Sequence, residues 1–378
     1  MPSKHIVVIG AGAFGGWTAL YLLRRGARVT LLDAWGPGNA RSSSSGETRV
    51  MRGTYGPAQP YTKMATRAMR LWKEHERRWN CQLFHRTGVL WMATAGDDQY
   101  ERASLSPMRE AGVHFEELSS SDMAKRWPQI NFEDVRWGIY EPDSGFLCAR
   151  NACQAVVKGF VHEGGEYEQL AVVAHQMESK YRDGLTLSDG SRLAADGYVF
   201  ACGPWLGKLF ANTIGDLIRP TKQDVFFFGT PAGDDRFSES KLPVWADHRD
   251  RFLYGIPAGG GRSFKIADDT RGPKFDPTSG ERTASAEART MIRDYLGFRF
   301  PAMKGAPLVG TQVCQYENTP DDDFIIDRHP QAENVWIVGG GSGHGFKHGP
   351  AIGEMVAEFA MERKDADAKF QLRRFRKT

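Results

Sequence analysis

Gly10, Gly12 and Gly15 spell G-x-G-x-x-G directly after the apolar run His5-Ile6-Val7-Val8-Ile9. Asp33 follows Gly10 by 23 positions, at the end of a second apolar run, Val29 to Leu32. Each residue type has a task in holding a dinucleotide. The first glycine permits a tight turn, the second lets backbone approach a pyrophosphate, and the third lets helix and strand pack closely. The helix that follows offers free N–H groups and a partial positive charge to phosphate. Asp33 can accept hydrogen bonds from a ribose. Near the other end, Gly339-Gly340-Gly341-Ser342-Gly343-His344-Gly345 is a second glycine-rich loop without that spacing. One complete fingerprint argues against an enzyme binding both a flavin and a nicotinamide. Glycine loops at both ends of the chain fit a long cofactor touched from both, which favours FAD without NAD.

These residues need elements to position them. The apolar runs at 5–9 and 29–32 predict strands buried on both faces. Trp17, Ala19, Leu20, Leu22 and Leu23 predict a helix between them that stops at Gly26. Arg41-Ser42-Ser43-Ser44-Ser45-Gly46-Glu47-Thr48-Arg49 reads, on composition alone, as a flexible linker. Pro60 opens a helix with Met64, Ala65, Ala68, Leu71, Trp72 and Trp79 on one face. A strand is expected at Val89–Ala93, and helices near Asp122–Trp127, stopped by Pro128, and around Ala149–Glu163. Tyr198-Val199-Phe200 predicts a strand leading into Ala201-Cys202-Gly203-Pro204-Trp205. Residues 220–312 are β-rich, with strands at Val225–Phe228, Phe252–Ile256 and Phe264–Ile266 and one helix near Ala284–Tyr295. Val335–Val338, the second glycine loop and a helix from about Ala351 to Met361 return to the nucleotide-binding style. The expected fold class is therefore α/β with a β-rich insertion. A Rossmann-like FAD domain is assembled from 1–83, 147–218 and 313–378. An α+β substrate domain with a mostly antiparallel sheet is built from 84–146 and 219–312.

Composition narrows the function. At roughly 100–200 residues per domain, 378 residues predict two or three domains. With 41% hydrophobic and 25% charged residues the chain is ordinary globular material, not disordered, collagenous or coiled-coil. A net charge of +3, from 49 Lys+Arg against 46 Asp+Glu, gives no case for nucleic acid. No apolar stretch approaches the roughly 18 residues of a membrane span, and Ile6–Ile9 is too short and too early for a signal peptide. Arg376-Lys377-Thr378 is not a targeting tripeptide. The five cysteines, Cys81, Cys148, Cys153, Cys202 and Cys314, contain no CxxC and suggest neither a disulfide framework nor a zinc site. A reduced cytoplasmic protein is expected.

Several motifs are more specific than the glycine fingerprint: Gly46-Glu47-Thr48-Arg49-Val50-Met51-Arg52, Lys265-Ile266, Cys314-Gln315-Tyr316 with Thr319-Pro320-Asp321, Phe324-Ile325-Ile326-Asp327-Arg328-His329-Pro330, and Gly343-His344-Gly345-Phe346-Lys347. With them the chain resembles the D-amino-acid-oxidase-like flavoproteins and, within these, the monomeric sarcosine oxidase and N-methyltryptophan oxidase family. The similarity runs along nearly the whole chain. It implies FAD bound covalently through Cys314, a reaction in which a thiolate is the nucleophile. It implies a substrate carboxylate held by Arg52 and Lys347, the planar fork of one complementing the point charge of the other. Arg49 resembles the residue beside the flavin ring, and Lys265 the oxygen-activating lysine. A fixed cation about 4 Å from the anion formed on O₂ is worth roughly 4 kcal/mol at an effective dielectric of 20, or about three decades in rate. Tyr254 and Tyr316 match aromatic positions of the substrate cavity. Ser44, Ser45, Thr48 and Val173 fall at positions that resemble flavin contacts. So do Cys202, Gly203 and Trp205, and so do Gly341, Gly343, Gly345 and Lys347.

The chain departs from the family where a histidine pair is replaced by Ser44 and Ser45, and where a further histidine is replaced by Asp269. Smaller serines predict a larger cavity. A carboxylate there predicts repulsion of an acidic substrate or attraction of a larger cationic amine. The resulting expectation is an FAD-dependent amine oxidase. It would act on an N-alkyl or cyclic amino acid, bulky ones included, with O₂ as acceptor and no metal, as a monomer. The alternatives are a dehydrogenase of the same fold with a quinone or protein acceptor, and a flavin-binding module without turnover.

Overall fold

The computed structural model describes residues 3–94, 96–173, 184–362 and 366–375; the terminal Arg376–Thr378 lies outside them. Two large sheets organise these residues. The first has six strands in the order Ile325–His329, Ala332–Gly339, Gly197–Phe200, His5–Ile9, Arg28–Leu32 and Glu166–Glu168. All neighbours pair in parallel except the hairpin Ile325–His329/Ala332–Gly339. Parallel strands must bury both faces, and Val7, Val8, Val199, Phe200, Val335 and Ile337 are all fully buried. The first helix runs Ala13–Arg24, starting one residue beyond Gly12. The last, Gly349–Glu362, crosses it on two glycines. A Cβ on Gly349 would lie 2.6 Å from the Trp17 indole and one on Gly353 2.5 Å from the Trp17 backbone carbonyl carbon, so both glycines are needed for this close approach.

The second sheet has eight strands: Leu308–Asn318, Arg219–Phe228, Phe264–Asp268, Phe252–Ile256, Val244–His248, Val89–Thr94, Val135–Glu141 and Glu116–Ser119. Its pairs are antiparallel apart from Val244–His248 with Val89–Thr94. The α/β fold class with a mostly antiparallel second sheet is thus observed. A small three-stranded sheet, Thr48–Met51, Gly145–Cys148 and Phe84–His85, lies between the expected segments. The strand Leu308–Asn318 pairs along ten positions with Arg219–Phe228, so the division expected at 312/313 runs through a strand of the larger sheet.

Local signals explain most boundaries. The helix Ser120–Arg126 begins on a capping box of Ser119 and Asp122. The helix expected near Ala284–Tyr295 runs Ala286–Arg299 instead, because the Ser285 side chain caps it by accepting the Ala288 N–H. Residues 219–224 join the strand expected only from Val225. Nothing in Arg219-Pro220-Thr221-Lys222-Gln223-Asp224 alternates, and the partner strand supplies the reason. The segment 41–49 is not a free linker. Arg49 donates to the carbonyls of Ser43 (2.9 Å), Ser45 (2.6 Å) and Thr48 (2.8 Å), drawing the serine run around a buried guanidinium.

Candidate active site

Three adjacent parallel strands, His5–Ile9, Gly197–Phe200 and Ala332–Gly339, end in glycine turns at one edge of the first sheet. The crevice outside such carboxyl ends is where open α/β sheets bind ligands. A cavity of about 350 Å³ lies there. Gly10 has φ +105°, and a Cβ on it would meet the Ala201 carbonyl oxygen at 2.3 Å; one on Gly15 would meet the Gly10 carbonyl oxygen at 1.8 Å. Both glycines are therefore required by close backbone packing. At Gly12 the nearest neighbour is Ser44 Oγ, 3.1 Å from a would-be Cβ. That hydroxyl accepts the Ala13 N–H at 2.9 Å, closing part of the helix N-terminus from the side.

Asp33 lines the same cavity. Its Oδ2 accepts from Ala11 N–H (2.8 Å) and its Oδ1 from Trp35 (2.9 Å) and Gly36 (2.8 Å). Burial raises its pKa against the pull of these N–H groups. Cys202, Gly203, Trp205, Gly341, Gly343 and Gly345 also line the cavity. Gly343 has φ +81° and turns against the Tyr316 ring. Val173 does not line it, whereas Leu170, Ala171 and Val172 do; the Val173 N–H is instead bonded to Thr186 O at 2.9 Å. Gly15, Ser45 and Thr48 are buried beside the cavity rather than on its wall. Of the two serines that replace the histidine pair, Ser44 thus bears on this cavity. Two buried polar atoms on the cavity wall, Ser43 Oγ and Glu317 Oε2, have no hydrogen-bond partner. A wall with fixed, unpaired polar groups at the strand ends fits a polar, extended dinucleotide.

A second cavity, about 60 Å³, adjoins the first. Arg49, Tyr316, Gly343 and Phe346 line both. The second sheet supplies its floor, with Lys265 on Phe264–Asp268, Tyr254 on Phe252–Ile256 and Cys314 on Leu308–Asn318. Cys314 Sγ lies 3.4 Å from Arg49 Nη2. Lys265 Nζ donates to Thr48 O at 3.0 Å. Burial, then the nearby Arg49, pushes the Lys265 pKa down to about 7. On the far wall the Arg52 guanidinium sits 4.3 Å from the Tyr55 ring centroid and 4.9 Å from that of Trp91. Lys347 Nζ donates to Tyr55 Oη and His344 O, both at 2.8 Å. Burial, then Arg52, holds the lysine well below its ordinary range. Asp269 stands on the same wall as acceptor of the Tyr316 hydroxyl, its own pKa raised by burial.

The remaining cysteines lie away from the second cavity. All five are free. Burial pushes Cys153 up to about 12 and raises Cys202 and Cys148 as well, which keeps them as thiols. No cluster of metal ligands exists among the described residues, and no described helix is long and apolar enough to cross a membrane. Sequence reasoning missed Ser43, Trp35, Phe346 and Glu317 on the first cavity and Trp91 on the second. For Glu317 a signal existed. It is the lone acid in Val313-Cys314-Gln315-Tyr316-Glu317, and strand alternation puts it on the face opposite Cys314 and Tyr316.

A parallel sheet with a glycine-turn crevice that opens through shared walls onto a cationic pocket defines a dinucleotide-dependent oxidoreductase. The chain belongs to the family of FAD dependent oxidoreductases, whose model matches residues 5–359. It is 30% identical to the monomeric sarcosine oxidase of Bacillus sp. (strain B-0618), over 95% of this chain and 92% of that one. It is 28% identical to the N-methyl-L-tryptophan oxidase of Salmonella arizonae, over 98% of both. In fold it matches the L-proline dehydrogenase of P. horikoshii with a TM-score of 0.84 at 22% identity, covering 99% of this chain and 98% of the other. The cofactor is FAD.

Proposed function

We propose that this protein is an FAD-dependent amine oxidase that converts a secondary amine bearing a carboxylate, an N-alkyl or cyclic amino acid, to its imine. The observation that carries this reading is the junction of the two cavities, where one would take the dinucleotide and the other carries two buried basic side chains, Arg52 and Lys347. The names of the relatives, both oxidases of N-methyl amino acids, agree with it. When bound, FAD would supply the two-electron acceptor for the C–H bond beside nitrogen, with O₂ as the terminal acceptor reduced to H₂O₂.

The protein's part is positioning. Arg52 and Lys347 hold the carboxylate. An arriving carboxylate raises the depressed Lys347 pKa and so favours the charged lysine. The same cations disfavour an ammonium and so select the neutral amine that the oxidation requires. Tyr254 and Tyr316 wall the substrate space, and Asp269 holds the Tyr316 hydroxyl. Arg49, on the walls of both cavities, would adjoin the flavin ring, and Lys265 would stabilise the anion formed on O₂. Geometry, rather than a strong base, supplies the rate. We assign no general base.

Cys314 is the covalent anchor in this reading. Acid-precipitated protein stays yellow, and Cys314→Ser protein does not. We infer a reduced cytoplasmic protein that works as a monomer, in keeping with the printed name of one relative, monomeric sarcosine oxidase. The segments 1–83, 147–218 and 313–378 form the FAD unit, and 84–146 with 219–312 the substrate unit, joined through the strand Leu308–Asn318.

A peroxide-coupled screen of secondary amines, sugar amines and N-methyl amino acids tests the activity. Arg52→Ala raises KM for acidic substrates roughly 10- to 100-fold, as loss of a charged hydrogen bond of about 1.5–3 kcal/mol requires. An unchanged KM removes the carboxylate clamp. Photoreduced protein that reoxidises sluggishly in air would turn the assignment to a dehydrogenase.

A further inference from the structure

Glu317 is 7% exposed and lies one residue beyond Tyr316 on the strand Leu308–Asn318. Its Oε1 accepts the Gly341 N–H at 3.1 Å. Its Oε2 has no partner. A Cβ on Gly203 would come within 2.9 Å of Oε2, and one on Gly341 within 3.0 Å of Oε1. The carboxyl is thus wedged between the glycine turns that end two adjacent parallel strands, on the wall of the larger cavity. Burial pushes its pKa up to about 7, and only the Gly341 N–H opposes this. An acid in that position is unfavourable for the protein alone, so its vacant oxygen marks a donor supplied by something else.

The chemistry of FAD decides which part meets it. The phosphates are anions, and a carboxyl without a cation beside it repels them. The flavin ring belongs at the junction walled by Arg49, Tyr316, Gly343 and Phe346. Asp33 stands at the helix N-terminus, where the ribose of the other end belongs. The remaining segment is the hydroxyl-bearing chain between ring and pyrophosphate. We propose that Glu317 Oε2 hydrogen-bonds a ribityl hydroxyl of FAD. A hydroxyl both donates and accepts, so it pairs with the carboxyl in either protonation state. This rests on the larger cavity being the FAD site.

The test uses flavin-free protein carrying Cys314→Ser, so that binding is reversible. FAD and its 2′-, 3′- and 4′-deoxyribityl analogues are titrated by quenching of flavin fluorescence. Glu317→Ala is expected to raise the Kd for FAD roughly 10- to 100-fold. One analogue loses a similar factor against the parent and nothing further against Glu317→Ala, the non-additivity that marks a direct contact. Glu317→Gln recovers most of the affinity. An unchanged Kd, or equal affinity of the parent for FAD and all three analogues, overturns the proposal. The analogue series decides the matter even if Glu317→Ala does not fold. A parent that binds no FAD at all fails in the first titration and overturns the reading of the cavity as well.

Discussion

Lys265 carries the sharpest consequence at the scale of single residues. It is 4% exposed, and its ammonium is held by one carbonyl, Thr48 O. With its pKa pushed down to about 7, the charge is conditional. The sign follows directly. A lysine with a lowered pKa is a cation below that value and neutral above it. If the cation speeds the reaction with O₂, the reoxidation rate constant falls as pH rises past 7. An anionic reduced cofactor beside the lysine moves that midpoint upward. Lys265→Met should slow reoxidation by up to about three decades, abolish its pH dependence and leave anaerobic reduction nearly intact. Rapid-mixing measurements of the two half-reactions check this, and equal slowing of both would refute the role. Asp269 bears on the same pocket in the opposite sense. Sharing that wall with Arg52 and Lys347, its carboxylate offsets part of their positive charge when ionised.

The element that presents Arg52 is a short run of backbone, not a helix or strand interior, and it is pinned from the second sheet. Glu141, fully buried at the end of Val135–Glu141, accepts from Gly53 N–H (2.7 Å), Thr54 N–H (3.1 Å), the Thr54 hydroxyl and the Ser144 hydroxyl (2.6 Å). Glu141→Gln turns one acceptor into a donor facing donors. Loss of one buried partner costs about 1–3 kcal/mol of stability, seen as a lower melting midpoint. Because the loop carries Arg52, KM should rise several-fold for carboxylate-bearing amines and stay constant for amines without one. A rise shared by both classes would leave Glu141 a general scaffold residue. This element also marks the limit of what a sequence reveals. Strands of near-continuous Val and Ile, glycines at fixed spacing and capped helices are local signals, and Gly10, Gly12, Gly15 and Asp33 were legible from them. Pairing is not local. The strand at 219–224 and the ordering of Ser42–Ser45 depend on Val313–Asn318 and on Arg49, respectively. Glu141 itself reads as an ordinary surface acid until the fold buries it. Most of the second cavity was legible only through motifs shared with a family, since nothing in the spacing of Arg52, Lys265, Cys314 and Lys347 brings them together.

For the whole molecule, the two sheets meet at the larger cavity. The first cavity takes walls from the parallel sheet and from Gln315, Tyr316 and Glu317 of the antiparallel one. A ligand that binds only when both sheets are folded stabilises the folded state by RT ln(1 + [L]/Kd), about 2.7 kcal/mol at a hundredfold excess over Kd. With an unfolding entropy of roughly 2.1 cal/mol/K per residue, 378 residues give about 0.8 kcal/mol/K. That excess of FAD should therefore raise the melting midpoint of flavin-free Cys314→Ser protein by roughly 3 °C. Each further tenfold in FAD adds about 1.4 kcal/mol, or slightly under 2 °C. Calorimetric scans over an FAD series check both slope and size. AMP, which reaches only the Gly10–Asp33 end, should give a smaller shift at matched concentration because it leaves the antiparallel wall untouched. A midpoint that stays flat across the FAD series would mean that the cavity between the sheets is not where the cofactor binds.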